Sequence, residues 1–135
     1  MRRVIIESPF AGATPELAAR NLRYLRACMR WCLLKGWSPY ASHGLYTQDG
    51  VLRDDVPEER KLGIGAGFAW RSGAEATCVF HDLGFSSGMN AGIEHAKSVV
   101  PDSIWRWGHA QHPIEYYLLG GEWDLGLSQQ GRLHE

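Results

Sequence analysis

The chain has 135 residues, an apolar fraction of 44%, a charged fraction of 21% and a formal net charge of −1. These are ordinary globular values, which exclude a disordered or collagen-like chain, and the near-neutral balance argues against a protein that holds nucleic-acid polymers by bulk charge. No apolar run approaches the roughly 18 residues of a membrane span, and Val4-Ile5-Ile6 is too short for a signal peptide. The three cysteines form no zinc pattern. One domain over residues 1–135, away from membranes and in a reducing cytoplasm, is the expectation.

Val4-Ile5-Ile6 is β-branched throughout and reads as a strand buried on both faces. It runs into a loop, Glu7-Ser8-Pro9-Phe10-Ala11-Gly12, punctuated by proline and glycine. Thr14-Pro15-Glu16 supplies an N-cap, a proline at the first helical position and an acid in the first turn. The helix should reach about Lys35, with Gly36 as its stop and Ala18, Leu22, Leu25, Met29 and Cys32 on its apolar stripe. Trp37 to Ser42 is a second strand. The polar stretch from His43 to Val56 is long for a compact domain and reads as a functional loop. Pro57-Glu58-Glu59 opens a second helix to about Ser72 or Gly73, and Ala76 to His81 forms a third strand. Asp82 to Gly88 is a turn, Met89 to Val100 a helix, and Ile114 to Leu119 a fourth strand. A polar tail anchored by Trp123 begins near residue 120.

Strands alternating with helices define an α/β, Rossmann-like three-layer fold, with a parallel sheet of four or five strands and helices on both faces. Such sheets bind ligands at the carboxyl ends of their strands, beside helix N-termini. The loops to watch are therefore Glu7–Ala13, His43–Val56 and Asp82–Ser87. Ser86 or Ser87 can cap the third helix, and Gly88 permits close approach of a ligand to the backbone. Gly63-Ile64-Gly65-Ala66-Gly67 falls inside a helix and serves close packing rather than phosphate binding. His95, His109 and His112 match no common metal spacing, so neither a metal nor another cofactor is expected. Trp105-Arg106-Trp107 reads as aromatic packing or a subunit contact.

Val4–Gly12, Ala41-Ser42-His43-Gly44-Leu45-Tyr46-Thr47 and Asp82–Met89 together resemble small phage and bacterial proteins related to the nucleoside 2-deoxyribosyltransferases. The resemblance spans roughly residues 3 to 119, with Pro101 to Gln111 as an insertion. It implies a nucleoside or nucleotide ligand at the carboxyl edge of the sheet, and cleavage or transfer of its N-glycosidic bond. In that family a glutamate near the start of the third-loop helix attacks the anomeric carbon. Laid on this chain, the glutamate falls on Asn90 in one register and on Gly92 in the other, so neither supplies a carboxylate. Glu7, Asp82 and Glu94 are the catalytic candidates instead, with Glu75 matching an acid that supports the family's site. The resemblance further assigns the ligand to Ser8, Phe10, Gly12, His43, Tyr46, Ser86, Ser87, Gly88 and Asn90. The alternative is an inactive nucleotide-binding protein that sequesters or senses a nucleotide signal, for example a phage anti-defence sponge, with Asn90 holding the sugar. The resemblance also implies a homodimer or higher oligomer in a bacterial or phage-infected cytoplasm, and six tryptophans would suit its interface.

Overall fold

In the computed structural model, which describes residues 1–99 and 112–124, the β-branched run becomes strand β1, Arg2–Glu7. The helix α1, Pro15–Leu34, strand β2, Trp37–Tyr40, and a short helix α2, Ser42–Leu45, follow. Then come helix α3, Pro57–Arg71, strand β3, Ala76–Phe80, helix α4, Ser87–Ser98, and strand β4, Ile114–Tyr117. The strands form one parallel sheet in the order β2-β1-β3-β4. Trp105, Trp107, His109 and residues 125–135 lie outside the described residues.

Alternation along β1 decides what each face receives. Val4 and Ile6 join Tyr24, Leu25, Cys28 and Cys32 of α1 in the larger core, together with Ala76, Cys78 and Phe80 of β3. Ile5 and Glu7 point the other way, where Val79 packs on Met89 and Ile93 of α4. α1 therefore covers one face, while α3 and α4 lie over the other. The chain leaves β1 for β2 and then returns past β1 to β3, so its direction of travel reverses between β1 and β3. A crevice opens at the carboxyl ends of strands at such a reversal.

Capping fixes the helix starts as expected. Thr14 Oγ1 accepts a hydrogen bond from the Leu17 amide at 3.2 Å, and Ser86 Oγ accepts one from Met89 at 3.2 Å. Gly36 ends the first helical connection with φ +83°, a conformation few other residues adopt. Three expectations shift. The fully buried arc of α1 is Asn21, Tyr24, Leu25, Cys28 and Cys32, turned from the simple apolar stripe. Two polar residues enter it because they have partners: Asn21 donates to the carbonyls of Phe10 and Ala11, and Tyr24 to Asp82. β2 stops at Tyr40 because α2 begins at Ser42, the last residue of the expected strand, and runs into the stretch read as loop. β4 stops at Tyr117 because Asp82 takes the amides of Leu119 and Gly120, at 2.9 and 3.0 Å, and draws the chain away from the ladder.

Of the α3 glycines, Gly63 and Gly67 pack as expected, whereas Gly65 faces open space. A β-carbon at Gly67 would collide with Ser42 of α2, so the bare backbone lets the two helices touch. Trp31, Trp37 and Trp123 pack against the α1-face core, which absorbs three of the tryptophans assigned to an interface. Trp70 remains 60% exposed.

Candidate active site

A cavity of about 290 Å³ opens where β1 and β3 end. Glu7, Ser8 and Phe10 reach it from the end of β1 and its loop, His43 from α2, and Ser86, Ser87 and Gly88 from the start of α4. α3 adds Arg60, Ile64, Phe68 and Arg71, while Asp54 comes from the loop before it. Phe10, Ile64, Phe68 and Met89 give it apolar walls, and the polar groups gather at the sheet edge.

Glu7 sits in that lining with its side chain 13% exposed. One carboxylate oxygen, Oε2, accepts a hydrogen bond from Arg71 Nη2 at 2.6 Å. Arg71 is 2% exposed, and its Nη1 donates to Thr77 Oγ1 at 2.6 Å. Thr77 in turn meets His112 Nε2 at 2.8 Å, so a buried polar chain ties the ends of β1 and α3 to β3 and the approach to β4. Burial pushes the Glu7 carboxyl above its ordinary value, and Arg71 opposes that rise by charge and hydrogen bond. Among the described residues Glu7 Oε1 has no hydrogen-bond partner. A carboxylate oriented through one oxygen and open through the other can meet an electron-poor carbon or accept a proton.

Gly92 explains how the carboxylate fits. A β-carbon there would overlap the Glu7 carboxyl group, so the glutamate occupies the space where a side chain of α4 would begin. Gly92 lines the cavity, and the carboxylate beside it is delivered from β1. Asn90 is exposed on α4 and is not part of the lining.

Beside Glu7, Ser8 Oγ lies 2.9 Å from His43 Nε2. Ser8 is 5% exposed, and the His43 ring meets Phe10 edge-on at 5.9 Å between centroids. Burial lowers the His43 pKa to about 4, so the ring is neutral at pH 7. Ser86 caps α4, and Ser87 and Gly88 present the first turn of that helix to the cavity, where backbone amides favour an oxygen acceptor.

The remaining sequence candidates fall elsewhere. Asp82 lies outside the lining, fastening Tyr24 Oη at 2.5 Å and the backbone after β4. Glu94 is exposed on α4 and pairs with Lys97 at 3.0 Å. Glu75 accepts the Arg3 amide at the amino end of β3, the edge away from the cavity. Gly12 packs its backbone on Leu17 and Ala18. Tyr46 lines a smaller adjoining cleft of about 70 Å³, where its hydroxyl meets that of Tyr40 at 2.8 Å. Arg71, Asp54, Arg60 and Phe68 were not among the candidates. Arg71 carried one signal, an arginine in the last turn of a helix that runs straight into a buried strand. Among the described residues no cluster of histidine, cysteine and acidic side chains could hold a metal. No helix among them is long and apolar enough to cross a membrane.

The fold and cavity define an α/β protein with a crevice at the reversal point of a parallel sheet. The chain belongs to the family described as a domain of unknown function (DUF7768), whose model matches residues 2–101. Among solved structures, the CMP N-glycosidase BcmB of Clostridium botulinum is similar at 12% identity and a TM-score of 0.47, covering 96% of this chain and 98% of that one. No curated protein sequence matches the chain.

Proposed function

We propose that this protein binds a nucleoside or nucleotide in the β1–β3 crevice and cleaves its N-glycosidic bond, with Glu7 as the attacking carboxylate. The observation that carries this reading is the Glu7 carboxylate in the cavity lining, held by buried Arg71 through Oε2 and open at Oε1. Cleavage of a glycosidic bond builds positive charge on the anomeric carbon, and a fixed carboxylate stabilises that charge or bonds to it. Arg71 opposes the rise that burial imposes on the group and sets its direction. The apolar walls suit a base, the hydroxyls of Ser8, Ser86 and Ser87 suit a sugar or phosphate, and the volume is of nucleoside scale. The motif resemblance over Val4–Gly12 and Asp82–Met89 points to the same substrate class.

The test is incubation with the common ribo- and deoxyribonucleosides and their 5′-monophosphates, with free base measured by mass spectrometry. The wild-type protein releases base from at least one of them. Glu7→Gln still binds that ligand but loses turnover by about 1,000-fold or more, because a neutral amide cannot take the charge. A ligand retained by the wild type and recovered intact after denaturation would retire the enzyme reading in favour of a sequestering pocket.

A further inference from the structure

The Ser8–His43 pair faces the same cavity as Glu7, yet the first, base-releasing step asks no proton transfer of it. We infer that this pair accepts the proton of the water molecule that breaks the glycosyl–Glu7 ester, so that the cavity carries hydrolysis rather than transfer between bases. The inference rests on the glycosidic reading above and names the acceptor of the same site.

Three features lead to it. Ser8 begins the loop that leaves β1 at Glu7, and both residues line one cavity. Ser8 Oγ is 2.9 Å from His43 Nε2, a hydrogen bond along which a proton moves from hydroxyl to imidazole. The imidazole is held in place by Phe10, whose ring it meets edge-on. A neutral ring with Nδ1 protonated presents Nε2 as the acceptor this role requires.

The chemistry balances. In the first step Glu7 Oε1 bonds to the anomeric carbon as the carbon–nitrogen bond breaks, and the base leaves with the electron pair. In the second, water bonds to the same carbon and the carbon–Oε1 bond breaks, returning its pair to the carboxylate. The water proton passes to Ser8 Oγ while the Ser8 proton passes to His43 Nε2. The displaced base takes a proton from solvent as it leaves, and the imidazolium of the second step gives one back to solvent.

Two variants test the inference, with the nucleoside or monophosphate from which wild type releases base fastest. His43→Gln keeps a hydrogen-bonding group near Nε2 without a base, and Ser8→Ala breaks the link. In each, turnover after the first equivalent of base slows about 100-fold more than release of that first equivalent does. Intact-protein mass shows the added glycosyl group, and peptide mapping places it on Glu7. If both variants release base slowly from the first turnover and no adduct accumulates, the pair has only a structural role and the inference is overturned. Wild-type protein that releases no base from any compound overturns the glycosidic reading, and this inference with it.

Discussion

Gly92 and Glu7 share one volume, and that sharing can be measured. Adding a β-carbon at Gly92 pushes it into the Glu7 carboxyl group, whose hydrogen bond to Arg71 opposes its displacement. Gly92→Ala should destabilise the protein by about 1–3 kcal/mol, the usual range for overpacking a filled site. Glu7→Ala removes the clash but leaves the Arg71 guanidinium buried without its partner, a loss of about 3–5 kcal/mol. The two changes are therefore coupled. In the Glu7→Ala background, Gly92→Ala should cost far less than it does alone, and urea unfolding of the four proteins gives the difference. Additive effects would mean that the carboxylate does not occupy the space beside Gly92. Glycine at 92 could be read from the sequence as a departure from the family pattern. The compensating carboxylate could not, because Glu7 lies 85 residues earlier and nothing local to β1 reports which helix it faces.

At the scale of elements, Asp82 illustrates how a polar residue at a strand end can serve the frame rather than the site. It accepts from Tyr24 Oη and from the Leu119 and Gly120 amides, so one side chain binds α1 to the segment leaving β4. Burial pushes its carboxyl up, but those hydrogen bonds outweigh it and hold the carboxyl below its ordinary value. Asp82→Ala should lower stability by about 2–3 kcal/mol while base release at a temperature well below unfolding stays within about threefold of wild type. Loss of turnover in a fully folded Asp82→Ala protein would return this residue to the site. The strand and helix order was legible because each element carries its own local signal. Val4-Ile5-Ile6 alternates into two buried faces, Thr14-Pro15 and Ser86 start helices, and Gly36 ends one. The short helix α2 was hidden because four residues, Ser42–Leu45, carry no periodicity. Its consequence, the placement of His43 over Ser8, is a tertiary contact between positions 35 residues apart.

Over the whole molecule, the buried titratable groups give the fold a pH dependence whose sign can be worked out. Burial lowers the pKa values of His43 and His112 to about 4, with Arg71 adding to the effect at His112, and it lowers His95 as well. In the unfolded chain each histidine takes up a proton near pH 6.5, whereas the folded state resists until well below that. Stability from these groups is therefore present above pH 6.5 and is lost as the pH falls toward 4. Each differential proton contributes a slope of about 1.4 kcal/mol per pH unit within its window. Glu7 works in the opposite direction. Its raised pKa means that the folded state binds a proton before the unfolded chain does, so its contribution grows as the pH falls toward 4.5. The histidines outnumber it, so urea midpoints measured at intervals from pH 7.5 to 4.5 should fall steadily. A flat profile would show that His43 and His112 are not protected from protons in the folded state. The reaction responds to the same titration. Attack needs ionised Glu7, so base release should decline on acidification with a midpoint above 4.5, at pH values where circular dichroism still reports a native fold. A decline that merely tracks unfolding would separate the acid limb from Glu7 and assign it to the histidines that hold the cavity together.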